Sequence, residues 1–284
     1  MTANLSQVAG GGGLLISVER KGTPGRSRVI LGHGGGQTRH SWGKAADALA
    51  GAGYDVLNYD ARGHGDSEWA RPEDYSAEKR SEDVAALAKM GNGPVALVGA
   101  SMGGLSALYF AAKHPSEVSA LILVDIVTQP EPAGVRRVTD FMARHLDGFD
   151  SLEEVADAVA SYAPHRPRRD AGGFQNNLRL KDGRYYWHWD PAILHQDNGK
   201  MFRVVNQVVE SNRARLDFPV MLVRGMKSDI ISDAGIDNMR ELLPQAEIFE
   251  VDGAGHMVAG DRNDQFNAGV IEFLRKHVPP CHDA

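Results

Sequence analysis

Short apolar runs alternate along this chain with segments in which apolar residues recur every three or four positions. The apolar runs predict β-strands at Leu14–Glu19, Val29–Leu31, Asp55–Tyr59, Val95–Val98, Leu121–Val124, Val220–Val223 and Glu247–Val251. The periodic segments predict amphipathic helices at 39–53, 76–90, 102–115, 232–244 and 264–278. Near-continuous apolar strands that alternate with helices are typical of a parallel sheet covered on both faces. The pattern therefore predicts an α/β fold in which a mostly parallel sheet is flanked by helices.

The alternation of strands and helices stops between residues 126 and 215. This segment contains several prolines, an arginine-rich loop and the aromatic run "RYYWHWDP", with helical stretches but no clear core strand. We interpret residues 126–215 as a mainly helical cap, or lid, that is inserted into a core formed by residues 1–125 and 216–284. Such an insertion would lie over the carboxyl ends of the strands, where open α/β sheets bind their ligands.

The composition is that of an ordinary globular protein, with 42% hydrophobic and 24% charged residues among 284. The net charge of −6 gives no electrostatic reason to expect binding to nucleic acid or to anionic membranes. No apolar run approaches the roughly 20 residues that span a bilayer, and the first residues lack the pattern of a signal peptide. The single cysteine, Cys281, excludes an intrachain disulfide. We therefore expect a cytoplasmic protein with a small-molecule substrate, no nucleic-acid partner and no membrane span.

Residues 94–108, "PVALVGASMGGLSAL", hold one serine between a predicted strand and a predicted helix. Glycines surround this serine, Ser101, at Gly99, Gly103 and Gly104. In such a place a serine is often no more than a helix cap in a glycine turn. The spacing G-x-S-x-G at a strand-to-helix turn is also the pattern of a nucleophile elbow, in which a tight turn exposes the serine. Ser101 is therefore the candidate nucleophile.

Serine is a weak nucleophile at neutral pH and needs a base that is itself oriented by a third group. Of the eleven histidines, only His256 lies in a glycine-rich loop directly after the last predicted strand. Asp229 follows the penultimate strand, and we predict that it is the acid that orients His256. Asp229 could instead cap the helix that starts near Ser232. Asp125 also ends a strand, and it is the rival acid.

The segment "VILGHGGGQTRHSW" follows a predicted strand and opens a predicted helix. Its three consecutive glycines, Gly34, Gly35 and Gly36, would let bare backbone come close to a substrate. Backbone N–H groups in such a place can stabilise the negative charge that develops on a carbonyl oxygen. A flexible connector would not require three glycines directly after His33.

Taken together, these motifs resemble those of the α/β-hydrolase fold superfamily. The resemblance is carried by His33-Gly34-Gly35-Gly36, "YDARGHGDS" at 59–67, the elbow at 99–104, Asp229, and "GAGH" ending at His256, in the chain order of that family. It implies a catalytic triad of Ser101 as nucleophile, His256 as base and Asp229 as acid. It also implies that the N–H groups of Gly35 and Met102 form the oxyanion hole.

The resemblance implies a serine hydrolase that cleaves a small to medium carboxylic ester through an acyl-enzyme, with no cofactor. Ser101 argues against epoxide hydrolases and haloalkane dehalogenases, which use an aspartate at the elbow. The glycines after His33 and the Ser-Met-Gly-Gly elbow are similar to those of carbon–carbon bond hydrolases, in which asparagine usually stands at the position of Ala100. A carbon–carbon bond hydrolase or a lactonase with the same triad is therefore an alternative. A small-molecule receptor with little turnover is an alternative of another class.

Selection of the substrate is expected to depend on the cap and on the glycine loop. Trp187 and Trp189 are candidates either to line an apolar pocket or to form the cap's own small core. Gly34 and Gly36 are candidate substrate-binding residues. The arginines Arg166, Arg168 and Arg169 could hold a substrate carboxylate or belong to a solvated loop. Because no Cys/His cluster with metal-ligand spacing and no dinucleotide fingerprint occurs, we expect neither a metal nor a nucleotide cofactor.

Overall fold

Eight strands form the main sheet, and helices cover both of its faces. The computed structural model describes residues 4–164, 168, 170–261 and 263–280. The strands are β1 (Asn4–Ala9), β2 (Leu15–Lys21), β3 (Arg28–Gly32), β4 (Asp55–Tyr59), β5 (Val95–Ala100), β6 (Val118–Val124), β7 (Leu178–Lys181), β8 (Arg184–Trp187), β9 (Val220–Gly225) and β10 (Ala246–Val251). The helices are α1 (Gly43–Gly51), α2 (Ala77–Ala88), α3 (Met102–Lys113), α4 (Pro132–Arg144), α5 (Leu152–Tyr162), α6 (Asn198–Asn212), α7 (Asp233–Leu242), α8 (Val258–Asp261) and α9 (Asn263–His277).

The strand order of the main sheet is β1-β2-β4-β3-β5-β6-β9-β10. From β4 onward in this order, each strand is parallel to the next. Strands β1 and β2 are antiparallel to each other, and β2 is antiparallel to β4. Strands β3 and β4 are buried along their whole length, as expected for central strands of a sheet with two covered faces. The predicted mostly parallel sheet with flanking helices is confirmed.

Strand β1 is an element that the sequence pattern did not predict. Residues 11–13 make a short 3₁₀ turn between β1 and β2, and the two strands pair as an antiparallel hairpin. The glycine run at residues 11–13 is therefore the turn of this hairpin. Most residues of β1 are exposed, so the strand lacks the apolar run by which the central strands were found.

The segment between β6 and β9 has two parts that pack differently. Helices α4 and α5 and the antiparallel hairpin β7–β8 surround a hydrophobic cluster of their own. Helix α6 instead packs against α3, and its Val205 and Val209 belong to the main core. The structure thus differs at α6 from the predicted cap, which ran to residue 215. The hairpin β7–β8 was also not predicted, because its half-buried strands contain no continuous apolar run.

The register of the parallel strands brings several loops to one edge of the sheet. Gly32 at the end of β3 pairs with Gly99 in β5, and Ala100 pairs with Val124 at the end of β6. Val124 in turn pairs with Val223 of β9. The loops that follow these strands therefore lie beside one another at the carboxyl edge. Within the described ranges, every helix is too short or too polar to cross a membrane.

Candidate active site

Ser101 lies at the apex of a tight turn between β5 and α3. Its backbone has φ 46° and ψ −114°, a conformation that non-glycine residues rarely adopt. A Cβ atom on Gly99 would come within 2.6 Å of the backbone of Gly103, and one on Gly103 would come within 2.4 Å of the carbonyl oxygen of Gly32. The glycines are thus required because strand, turn and helix approach each other at backbone distance. This geometry is that of a nucleophile elbow.

His256 lies in the loop between β10 and α8 and contacts a carboxylate at the same edge of the sheet. Its Nδ1 atom is 2.7 Å from Oδ2 of Asp125, the residue that follows β6. Asp125 is fully buried and has φ 49°. Its carboxylate also accepts hydrogen bonds from the backbone N–H of Gly225, at 3.0 Å, and from the hydroxyl of Ser228. These donors fix the carboxylate, so that Asp125 can hold the imidazole with Nδ1 as donor and Nε2 free to act as a base.

Asp229, the predicted partner of His256, instead binds an arginine of the cap. The Asp229 carboxylate accepts hydrogen bonds from Nε and Nη2 of Arg137 on α4, at 2.6 and 2.8 Å. Strand β6 is the direct neighbour of β5, so Asp125 follows the strand beside the one that leads to Ser101. Asp229 follows the next strand out, beyond the Gly225–Ser228 turn, and faces the cap. The rival acid in the sequence is therefore the one in contact with the histidine.

Arg137 also controls the ionisation of Asp229. Partial burial would by itself raise the pKa of the Asp229 carboxyl, but the hydrogen bonds and the charge of Arg137 outweigh this effect and lower the pKa below its ordinary value, with a smaller contribution from His256. Arg137 also donates to the carbonyl oxygen of Tyr162, and its guanidinium lies 4.8 Å from the centre of the Tyr162 ring. The pair therefore joins the cap helices α4 and α5 to the loop after β9. The sequence contained no signal for this contact.

The glycine loop after β3 has a defined shape. The N–H of Gly34 donates to the side chain of Gln37 at 3.1 Å, and the N–H of Gly36 donates to Nε2 of His64 at 3.2 Å. Between them, the N–H of Gly35 has no acceptor among the described residues, and the same holds for the N–H of Met102 at the start of α3. The amino end of α3 adds the positive end of a helix dipole. The two predicted oxyanion-hole amides are thus available to an acceptor from outside the chain.

Two buried histidines, His33 and His64, lie beside this loop and contact each other. His33 accepts a hydrogen bond from the N–H of Ala61 at 2.9 Å, and its ring centre lies 5.0 Å from that of His64. Burial lowers the pKa of His33, and burial together with the neighbouring His33 holds the pKa of His64 well below its ordinary value. Both rings are therefore neutral near pH 7, and each uses Nε2 as an acceptor for a backbone amide.

Two cavities meet at Ser101. The wider cavity, of about 490 Å³, lies between the glycine loop and the cap, and the narrower one, of about 100 Å³, lies between α3, α4 and α6. Ser101, Gly35, Met142 and His256 belong to the walls of both. An ester bound at Ser101 can therefore extend its two arms into separate cavities.

The candidate substrate-binding residues lie in the wall of the wider cavity, namely Gly34, Gly36, Trp187 and Trp189. Both tryptophans are also buried members of the cap's hydrophobic cluster. The ring of Trp187 packs edge-on against Phe149, with centres 5.2 Å apart. The two interpretations of these residues, pocket wall and cap core, therefore apply together.

The arginine-rich loop of the cap is described only in part. Arg168 contacts the carboxylates of Glu153 and Asp157, the latter at 2.7 Å. Arg166, Arg169 and Cys281 lie outside the described residues. Among the described residues, no three His, Cys, Asp or Glu side chains are grouped so that they could hold a metal ion.

Comparison with known proteins gives the family. A family model described as the alpha/beta hydrolase fold matches residues 27–262, most of the chain. The chain belongs to the α/β-hydrolase family. The predicted fold class, the stated resemblance and the prediction of a hydrolase are thereby confirmed for this α/β hydrolase.

Two curated relatives of this α/β hydrolase match over most of their length. The esterase Rv0045c from Mycobacterium tuberculosis is 31% identical over 264 residues, which are 87% of this chain and 81% of that protein. The sn-1-specific diacylglycerol lipase ABHD11 from Mus musculus is 28% identical over 263 residues, 87% of this chain and 80% of that protein. Among solved structures, E-2-(acetamidomethylene)succinate hydrolase superimposes with a TM-score of 0.84 at 22% identity, covering 96% of this chain and 99% of that chain. The last comparison concerns the fold alone.

Proposed function

We propose that this α/β hydrolase cleaves small to medium carboxylic esters through an acyl-enzyme on Ser101. His256 acts as the base and Asp125, in place of the predicted Asp229, as the acid that orients it. The N–H groups of Gly35 and Met102 form the oxyanion hole. Similarity to an esterase and a lipase over most of the chain supports the choice of an ester as substrate.

The reaction has two steps. His256 Nε2 takes the proton of the Ser101 hydroxyl while the oxygen attacks the ester carbonyl, and the two amides stabilise the negative oxygen that results. The imidazolium, stabilised by Asp125, returns the proton to the departing alcohol. Water then attacks the acyl-enzyme with the same histidine as base, which releases the acid and restores Ser101.

One observation carries this proposal. The Nδ1 atom of His256 lies 2.7 Å from a buried, multiply hydrogen-bonded carboxylate, while His256 and the strained Ser101 belong to the walls of the same two cavities. A histidine that only packs in a core would not need a fixed anion beside a partly exposed serine elbow. The net charge of −6 and the volumes of the two cavities further support a small-molecule substrate, with no nucleic-acid partner.

Covalent labelling tests the proposal directly. A fluorophosphonate probe should react with Ser101 alone, and hydrolysis of nitrophenyl esters should be lost together with labelling in Ser101→Ala. Ser211→Ala is a control, because Ser211 is exposed on α6, donates to a backbone carbonyl and belongs to neither cavity at Ser101. Labelling that persists in Ser101→Ala would overturn the assignment of the nucleophile. Ester substrates should be turned over repeatedly, at rates well above those of a receptor.

A further inference from the structure

Arg80, on α2, differs from the other buried arginines of the described chain. The others each contact a buried aspartate, in the pairs Arg28–Asp55, Arg39–Asp60 and Arg62–Asp83. Arg80 is 4% exposed, yet no carboxylate within the described ranges lies at ion-pair distance from it. A buried charge without a counter-ion is costly, and proteins retain one mainly where it has a task.

The contacts that Arg80 makes leave its charge uncompensated. Nε donates to the hydroxyl of Ser106 at 3.2 Å, Nη1 donates to the carbonyl oxygen of Tyr75, and Nη2 points to the sulfur of Met201 at 2.9 Å. A thioether sulfur is only a weak acceptor. Asp83, which also acts on Arg80 through its charge, is already bound by two nitrogens of Arg62. Burial lowers the pKa of Arg80 to about 10, so the side chain still carries its charge at neutral pH.

Arg80 and Met201 both belong to the wall of the narrow cavity that reaches Ser101 and His256. The wall contains no acidic residue among the described residues, and most of it is apolar. Ser106, to which Arg80 donates, lies five residues beyond Ser101 on the same helix. Arg80 and the nucleophile Ser101 therefore belong to the wall of one small cavity.

We propose that Arg80 binds a carboxylate of the substrate, so that the preferred esters carry a free carboxylate on the arm that enters the narrow cavity. This inference rests on the proposed ester hydrolysis at Ser101. A guanidinium and a carboxylate form short, charge-assisted hydrogen bonds, and the flexible Met201 side chain can move aside for them. The small volume of the narrow cavity, about 100 Å³, favours a short arm between the ester group and the carboxylate.

Two matched pairs of esters test this inference. Monoethyl glutarate and its neutral isostere ethyl 5-methylhexanoate differ on the acyl arm. The acetate ester of 4-hydroxybutanoate and 4-methylpentyl acetate differ on the alcohol arm. For at least one pair, the ratio of kcat/KM for the charged ester to that for the neutral ester should fall at least about tenfold in Arg80→Gln. A purely structural role of Arg80 would lower both rates together and leave the ratio unchanged for both pairs, which would overturn the inference.

Arg136→Gln is the matched control for loss of a positive charge. Arg136 is exposed on α4 and belongs to neither cavity at Ser101, so this variant should keep the ratio of the unchanged protein. If Arg80→Gln does not fold, protection of Ser101 from labelling in the unchanged protein still tests the inference. 4-Hydroxybutanoate should protect Ser101 from the fluorophosphonate at concentrations at which the neutral 4-methylpentan-1-ol does not, or glutarate at concentrations at which 5-methylhexanoate, which lacks the second carboxylate, does not. Equal protection within both pairs would contradict the role of Arg80.

Failure of the inference and failure of the proposed function give different results. Labelling of Ser101 and hydrolysis of the neutral esters, without any dependence of the ratio on Arg80, would overturn only the inference. Absence of labelling and of hydrolysis for every ester would overturn the proposed function itself.

Discussion

Two aspartates lie near His256, and their surroundings give them different tasks. Asp125 is fully buried, and its acceptor oxygens are occupied by a backbone amide, a hydroxyl and the imidazole. Asp229 is partly exposed and is neutralised by Arg137, an ion pair between the core and the cap. A carboxylate already held by a guanidinium is a weaker partner for an imidazolium than one whose remaining contacts are neutral donors.

At the residue scale, we predict opposite outcomes for two matched substitutions. Asp125→Asn should reduce kcat by about 10³- to 10⁴-fold, because the amide cannot hold His256 in the required tautomer or stabilise its charged form. Asp229→Asn should change kcat by less than about fivefold, since the half-exposed ion pair contributes little. Steady-state kinetics on a nitrophenyl ester, with thermal melts to verify folding, measure both. A larger loss of kcat in Asp229→Asn than in Asp125→Asn would identify Asp229 as the acid that orients His256.

The sequence could identify the serine and the histidine but could not choose between the two aspartates. Ser101 is marked by glycines whose spacing reflects backbone contacts within one local turn, and His256 by its place after the last strand. Both aspartates follow strands at the same edge of the sheet and lie between Ser101 and His256 in the chain, so only the family's usual place for the acid, after the penultimate strand, favours Asp229. The choice depends on which loop turns inward and on the partner Arg137, 92 positions away in the chain. The sequence likewise contained no signal for Arg80, because only the folded structure shows that no carboxylate among the described residues lies at ion-pair distance from it.

At the scale of elements, the segment directly after β8 connects the cap to the residues that follow β4. The carbonyl oxygen of His188 accepts a hydrogen bond from the N–H of Gly65 at 2.7 Å, and Asp190 accepts one from the hydroxyl of Tyr75 at 2.6 Å. Trp187 and Trp189 flank the first of these contacts. The hairpin therefore holds two tryptophans over the wider cavity while it is itself bonded to the core.

Trp187→Phe separates the two roles of this tryptophan. Phenylalanine keeps an aromatic ring against Phe149 but is smaller, so the wider cavity grows. We expect a shift of the preferred ester towards longer chains, together with a loss of about 1–2 kcal/mol in the free energy of unfolding. A series of nitrophenyl esters of increasing chain length, measured beside urea unfolding, gives both values. An unchanged preference in a destabilised but folded variant would assign Trp187 to the cap's core alone.

At the scale of the whole molecule, the buried pair His33–His64 makes stability depend on pH. The pKa of each ring is lowered in the folded chain, so below pH 6.5, the ordinary histidine pKa, the unfolded chain takes up protons that the folded chain does not. The free energy of unfolding should then fall with decreasing pH by up to about 1.4 kcal/mol per pH unit for each histidine, whereas above that pH both states are neutral and the term vanishes.

Urea unfolding between pH 5.5 and 7.5 measures this dependence. His64→Gln should flatten the slope below pH 6.5, because the glutamine oxygen can accept from Gly36 while the residue cannot take up a proton. His195→Gln, a substitution of a histidine outside this pair, should leave the slope as it is. Equal slopes in all three proteins would show that other groups govern acid stability.

Among the described residues, the cap's hydrophobic cluster has no buried side chain in common with either cluster of the core, although the partly buried Val138 packs against both the cap cluster and the main core. A segment with its own interior can be exchanged as a block without reopening the packing around the sheet. Recombination between related genes can therefore supply this molecule with a new cap while the elbow, the glycine loop, Asp125 and His256 are inherited unchanged. The natural junctions for such an exchange lie after β6 and before α6, because α6 packs on α3 and carries Met201 beside Arg80. In a lineage that evolves in this way, Arg80 and Met201 would be inherited with the core, while the wider cavity and the α4 side of the narrow one would diversify.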